Sequence, residues 1–228
     1  MNKTRLLIAT LAISLLAASP ALAQSETEWD GLVRVPSQNI DGAYLAPGAD
    51  FRPYTKVMLD QSEAAFARNW VRDYNRDVVG LSNRITESEA ARALQEVQAG
   101  LHEAFSEAYT TAGYQVVTTP GPDVLRLRTG VVNITVSAPE QDTAARTRRY
   151  SEEAGTATLV VEARDSMSGA ILGRAVDARI IDENSSIQWR TRTSNRSDFR
   201  RTFRQWAELS VQATNRLRST AAPAASTS

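Results

Sequence analysis

The chain has 228 residues, with 26 lysines and arginines against 26 aspartates and glutamates, one histidine and no cysteine. The missing cysteine excludes disulfides, thiolate nucleophiles and cysteine metal ligands. The balanced charge excludes a globally basic nucleic-acid binder.

Met1-Asn2-Lys3-Thr4-Arg5 is a short basic start, Leu6 to Ala18 is apolar, and Ala21-Leu22-Ala23 sets small residues before Gln24. This pattern predicts a secretory signal peptide over 1–23, cleaved after Ala23. Its apolar run of 13 residues is shorter than the about 20 needed to span a bilayer. No later run is long enough to span one. Cleavage removes Lys3 and Arg5 and no acid, leaving 24 basic against 26 acidic groups, a net charge of −2. Lys56 is then the only lysine, so almost every cation is a planar bidentate donor.

Residues 24–53 read as an extended N-terminal arm, with Trp29 and Tyr44 seated in surface grooves and Pro47-Gly48 as a tight turn. Tyr54 to Asp60 is a strand candidate. Ser62 to Arg76 reads as a short helix, because Phe66 and Trp70 are four apart among alanines. Thr86-Glu87-Ser88-Glu89 fits a capping box and opens a helix over about 86–112 with Gly113 as its stop. Leu94, Val97, Leu101, Phe105 and Ala108 repeat along it at helical spacing.

Strands follow. Tyr114 to Thr119 is one, and Pro120-Gly121-Pro122 is a turn. Asp123 to Ala138 is a long strand whose apolar phase switches between Leu125/Leu127 and Val132/Ile134/Val136, predicting a bulge near Thr129-Gly130. Pro139 to Glu153 reads as a polar loop. Thr156–Asp165 and Ala170–Ile181 form a hairpin around Ser166-Met167-Ser168-Gly169, which sets Glu162 opposite Arg174 and Val160 opposite Val176. Ser186 to Arg192 reads as a short strand. A last helix over about 196–218 carries Phe199, Phe203, Trp206, Ala213 and Leu217 on one stripe, and 219–228 reads as a disordered tail. The fold class is therefore α+β: one domain over 54–218, an antiparallel sheet with the two main helices on one face.

Several blocks together resemble a known family: Trp29-Asp30-Gly31-Leu32-Val33, Tyr44-Leu45-Ala46-Pro47-Gly48-Ala49-Asp50-Phe51, Tyr54-Thr55-Lys56-Val57-Met58-Leu59-Asp60 and Trp70-Val71-Arg72-Asp73-Tyr74-Asn75-Arg76. Toward the end come Arg164-Asp165-Ser166 with Gly169, Leu172 and Asp177, then Asp198-Phe199-Arg200-Arg201 with Phe203 and Trp206-Ala207. In this order, over roughly 29–217, they resemble the bacterial envelope family catalogued as domain of unknown function 3313. The resemblance implies a Gram-negative cell-envelope protein with no assigned activity and no catalytic residues to carry over. Many members resemble lipoproteins with a cysteine after the signal. Here Ala23-Gln24 stands at that junction, so the expectation is a free periplasmic protein and not a lipoprotein.

Candidate chemistry is sparse. His102, the single histidine, lies at the edge of the apolar stripe of the first long helix, which supports neither a zinc site nor a Ser-His-Asp triad. There is no G-x-S-x-G, P-loop or G-x-G-x-x-G, and no cofactor is expected. Asp41, Asp50, Asp60, Asp73 and Asp77 sit near turns and aromatics. A carboxylate pair among them, such as Asp50 and Asp60, is the alternative reading: a hydrolase acting on envelope glycans. Trp29, Tyr44 and Phe51 either pin the arm or line a groove. The most pronounced surface feature is Arg190, Arg192, Arg196, Arg200, Arg201 and Arg204, with only Asp198 among them. They predict an anion-binding patch. The expected protein is a non-enzymatic periplasmic one that binds an envelope protein or an anionic envelope polymer.

Overall fold

The computed structural model describes residues 29–78, 80, 84–136, 155–181 and 192–220, with the backbone alone for 192–196. The expected signal peptide, the start of the arm, the 139–153 loop, most of the expected 186–192 strand, Arg190 and the tail from 221 lie outside these residues.

Eleven elements follow in order among the described residues: β1 (Val33–Val35), β2 (Gly42–Leu45), β3 (Lys56–Leu59), β4 (Glu63–Phe66), α1 (Trp70–Asp77), α2 (Glu87–Thr111), β5 (Gln115–Val117), β6 (Val124–Val136), β7 (Gly155–Asp165), β8 (Ile171–Ile181) and α3 (Arg192–Ser219). The α+β class holds. The strands form one sheet in the order β1-β2-β8-β7-β6-β3-β5, with β4 also paired to β6.

The β7–β8 hairpin has the expected register, Glu162 against Arg174 and Val160 against Val176. Its turn is held locally. The Asp165 carboxylate accepts from the backbone N–H of Met167 (3.2 Å) and Ser168 (2.7 Å), and Gly169 takes φ +72°. Ala157, Leu159 and Val161 alternate into the core, so Val160 and Glu162 face the other way.

The bulge in β6 lies at Asn133 (φ +53°), between Val132 and Thr135, a few residues later than expected. Val131 is buried in place of Val132. Polar Thr129 looks from sequence like the point where the phase must switch. It stays inward because its hydroxyl is 2.7 Å from that of buried Ser62, which satisfies both groups.

The sheet is mixed where an antiparallel one was expected. β3 runs parallel to both β5 and β6, and β4 runs parallel to β6 further along the same edge. Parallel strands ordinarily need a crossover of a dozen or more residues. The β5–β6 connection is shorter than that, but β5 has only three residues, so Pro120-Gly121-Pro122 retraces about 10 Å and β6 starts beside β3 in the same direction. β4 and α1 replace the single helix read over 62–76. Ala64 and Ala65 favour helix by propensity, but the open edge of β6 captures the segment as strand. Phe66 and Trp70 still stack at 4.7 Å, across the strand-to-helix junction.

α2 begins in the predicted capping box: Thr86 accepts from the Glu89 N–H, and Glu89 accepts from the Thr86 N–H. Gly113 (φ +88°) ends it. α3 starts at Arg192, so the last residue of the expected 186–192 strand is helical. Its buried face runs Phe199, Phe203, Trp206, Ala207, Val211, Thr214, while Ala213 is exposed. Helical steps of three and four from Ala207 lead to Val211 and Thr214 and bypass 213.

The two long helices cover one face of the sheet with Leu101, Phe105, Tyr109, Phe203 and Trp206 in the shared core. Each fully buried aromatic contributes about 1.5–3 kcal/mol. The Tyr109 hydroxyl lies 2.9 Å from both Ser210 and Thr214 of α3. Burial pushes this phenol up to about 12.

Candidate functional site

The sheet face away from the helices carries charge at its centre. Arg126 and Arg128 alternate with core residues Leu125 and Leu127 in β6, and Glu162, Arg164 and Arg174 follow on β7 and β8. Glu162 is the shared acceptor. Arg174 donates to its Oε1 (2.7 and 3.2 Å) and Arg164 to its Oε2 (2.7 and 2.9 Å). Arg128 approaches Glu162 at 4.0 Å, Glu63 at 3.3 Å and Asp60 at 3.7 Å, while Arg126 binds Asp60 at 2.9 Å. Burial would push the Glu162 carboxyl up. The hydrogen bonds from Arg164 and Arg174 outweigh it and hold the group below its ordinary value.

The expected arm joins this face from Trp29 onward. β1 and β2 add to β8 as strands, with Tyr44 level with Arg174. Asp30 (φ +54°) and Gly31 (φ +77°) make the two-residue turn that an Asp-Gly pair favours. That turn sets Trp29 over the Arg174 guanidinium at 4.2 Å and the Asp30 carboxylate against it at 2.9 Å. Trp29 meets Tyr44 edge-on at 5.5 Å. Phe51 is buried in the core and lines no groove. The Arg174 side chain is 7% exposed. Its cation is closed on every side by an aromatic face and two carboxylates.

On the helix side, Asp177 ties β8 to α3 and to the β1–β2 loop. Its Oδ2 accepts from the Trp206 indole (2.6 Å) and from Arg179 (2.7 Å), and its Oδ1 accepts from the Asp41 N–H (3.2 Å). Tyr54 donates to Asp165 at 2.9 Å. Burial, then this carboxylate, pushes the Tyr54 phenol up to about 12.

The arginines expected to form an anion patch divide. Arg190 lies outside the described residues. Arg192 and Arg196 are in the first turns of α3, and Arg201 is half-buried. Arg200 and Arg204 are exposed, and no described residue hydrogen-bonds or ion-pairs with either. Asp198 is buried and does not share their surface. Arg200 and Arg204 lie beyond the first turn, where the helix dipole no longer opposes them.

Each of the expected carboxylates is engaged by an arginine or a backbone N–H group. Asp50 binds Arg52 at 2.7 Å, and hydrogen bonds from Arg52 hold its carboxyl down at about 2. Asp73 meets Arg72 and Arg76, and Asp77 meets Arg76. Asp41 accepts from the Ala178 N–H. His102 is exposed on α2, in a shallow groove with Glu103, Ser106 and Glu107. Among the described residues no three His, Asp or Glu side chains come together as metal ligands, and no helix is long and apolar enough to cross a membrane.

A family model described as a protein of unknown function, DUF3313, matches residues 27–210. The chain belongs to the DUF3313 family. This is an envelope-type bacterial family, as the sequence blocks implied. In this DUF3313 member, residues from separate blocks meet: Trp29 with Tyr44, Tyr54 with Asp165, and Asp177 with Trp206. No curated protein matches the chain. Similar solved structures include the PelC dodecamer from Paraburkholderia phytofirmans, 11% identical, covering 73% of this chain and 96% of that one, at a TM-score of 0.34. A DUF330 protein from Xanthomonas campestris is 11% identical, covering 75% and 91%, at 0.36. Likenesses this weak carry no argument about this DUF3313 protein.

Proposed function

We propose that the protein is an exported, non-enzymatic envelope protein that binds an anionic partner through the arginine face of α3. The observation that carries this reading is the state of Arg200 and Arg204. Both are exposed and unpaired among the described residues. The arginines of the open sheet face are held by Asp30, Asp60, Glu63 and Glu162. Guanidinium groups without an internal acceptor are free to form bidentate bonds to carboxylate or phosphate.

Export and a periplasmic location rest on the basic, apolar and small-residue order of residues 1–23, and the absence of cysteine supports a protein without a lipid anchor. A binding role is further supported by Asp41, Asp50, Asp60, Asp73 and Asp77, each of which is engaged by an arginine or a backbone N–H group.

The test is retention on a phosphate-bearing matrix at about 0.1 M salt. The wild type is expected to bind, and R200Q/R204Q to elute early with an unchanged melting temperature. Equal retention of the two proteins would refute the arginine surface. Turnover of muropeptides that disappears in D50N or D60N would instead establish the hydrolase reading.

A further inference from the structure

The first strand is fastened differently from the rest of the sheet. Among the described residues from Trp29 to Asp41, the one buried side chain is Leu32. β1 pairs with β2 alone, over three residues. Beyond that ladder, two ties hold the segment to β8, and a carboxylate makes each. At the first, Asp30 binds Arg174 at 2.9 Å, with the Trp29 ring 4.2 Å from the guanidinium and edge-on to Tyr44. At the second, the Asp41 carboxylate accepts from the Ala178 N–H at 2.8 Å, while the Asp41 N–H donates to Asp177 at 3.2 Å. β7 and β8, by contrast, are paired from Gly155 to Arg164, and Ala157, Leu159, Val161 and Ile181 anchor them in the core.

The two kinds of hold respond differently to acid. Apolar burial does not depend on the charge of a side chain, whereas a carboxylate tie does. Without its charge, Asp30 has no ion pair with Arg174, and Asp41 accepts more weakly from Ala178. The other titratable and charged groups around the first tie are Glu162 of β7 and Tyr44 of β2, with Arg164 and Arg128 on Glu162. Around the second they are Arg34, which donates to the Asp41 carbonyl, and Asp177 with Arg179. Glu162 is held below its ordinary value, so the pair beneath the segment resists acid.

We infer that Trp29–Asp41 is an acid-released strap, closed over Arg174 while Asp30 and Asp41 are charged and lifted off, with the sheet intact, when they are neutral. The ties are present above the carboxylate range and are lost as pH falls through it. Opening uncovers the Arg174 guanidinium, whose side chain is 7% exposed under the closed strap, and the edge of β2 that β1 covers. The device uses no arginine of α3 and stands apart from the reading of Arg200 and Arg204.

Hydrogen exchange of the full chain, read by mass spectrometry and corrected for the intrinsic effect of pH, tests the strap. At about pH 7 the segments 29–41 and 157–163 are both expected to be protected. At about pH 4, where carboxylates take up protons, 29–41 is expected to lose protection by about tenfold or more while 157–163 keeps it. D30N/D41N imitates the protonated side chains and suits the left-handed turn. It is expected to show the same loss at neutral pH and little further change in acid. D30N alone is expected to show a partial loss, and it carries the comparison if the double variant loses protection in 157–163 as well. Loss in both segments together in acid, no loss in 29–41, a strap already unprotected at neutral pH, or Asn variants with wild-type protection would each overturn the inference.

Discussion

Arginine serves two purposes in this protein, and the two are separated by the sheet. On the open face Arg126, Arg128, Arg164 and Arg174 each lie within ion-pair distance of an aspartate or glutamate. On the outer side of the helix layer Arg200 and Arg204 stand in solvent with no acid among the described residues to meet them. The same side chain therefore holds strands together in one place and is available to a partner in the other. What separates them is the supply of acids: even exposed Arg128 meets Asp60 and Glu63 across the sheet, and of the four only Arg174 is closed off from water. A guanidinium closed off from water requires a carboxylate, whereas an exposed one does not.

The largest effect expected from this contrast is that of Arg174→Ala. It leaves Glu162 partly buried with one donor fewer and frees Asp30 and Trp29, so urea unfolding should show a loss of about 3 kcal/mol. Trp29→Ala removes the aromatic lid and its contact with Tyr44, and a loss of about 1–2 kcal/mol is expected in the same assay. A near-zero result for both would mean that the open face is not structural.

Acid sharpens the contrast. The Glu162 carboxyl is held below its ordinary value of 4.5 in the folded protein. Its contribution is therefore present above that value and is lost as pH falls through the lower folded value. The urea midpoint should fall on acidification, and by less in Glu162→Gln, which starts lower and lacks this titration. The smallest change in stability is expected for R200Q/R204Q, within about 0.5 kcal/mol, while retention on the anionic matrix is lost. A large loss of stability there would place these arginines with the structural set.

Local chemistry was readable from the chain. The Thr86 capping box, the Gly113 stop and the β7–β8 register all come from interactions within a few residues or across one tight turn, so no distant part of the molecule can alter them. The Glu162–Arg174 pair was legible for the same reason. The rest of its cluster was not. Asp60 and Arg126 are separated by 66 positions, and Asp30 and Arg174 by 144. Only the pairing of β3 with β6, and of β1 and β2 onto β8, brings them together. Scanning the strand candidates for charged residues alternating with core positions would have flagged Arg126, Arg128 and Arg174.

The sequence by itself determined the α+β class, the long helices, the central hairpin and the arginine-rich stretch of the last helix, because periodicity, capping and turn residues act over short distances. The tertiary structure alone decided the parallel edge, the strand at 63–66, the inward Thr129 and which arginines are neutralised. Each of these turns on an acceptor supplied from far along the chain: the open edge of β6 for residues 63–66, Ser62 for Thr129, and Asp60, Glu162 and Asp30 for the guanidinium groups. A residue's sequence neighbours set its local geometry. Whether a buried donor is satisfied depends on the whole fold.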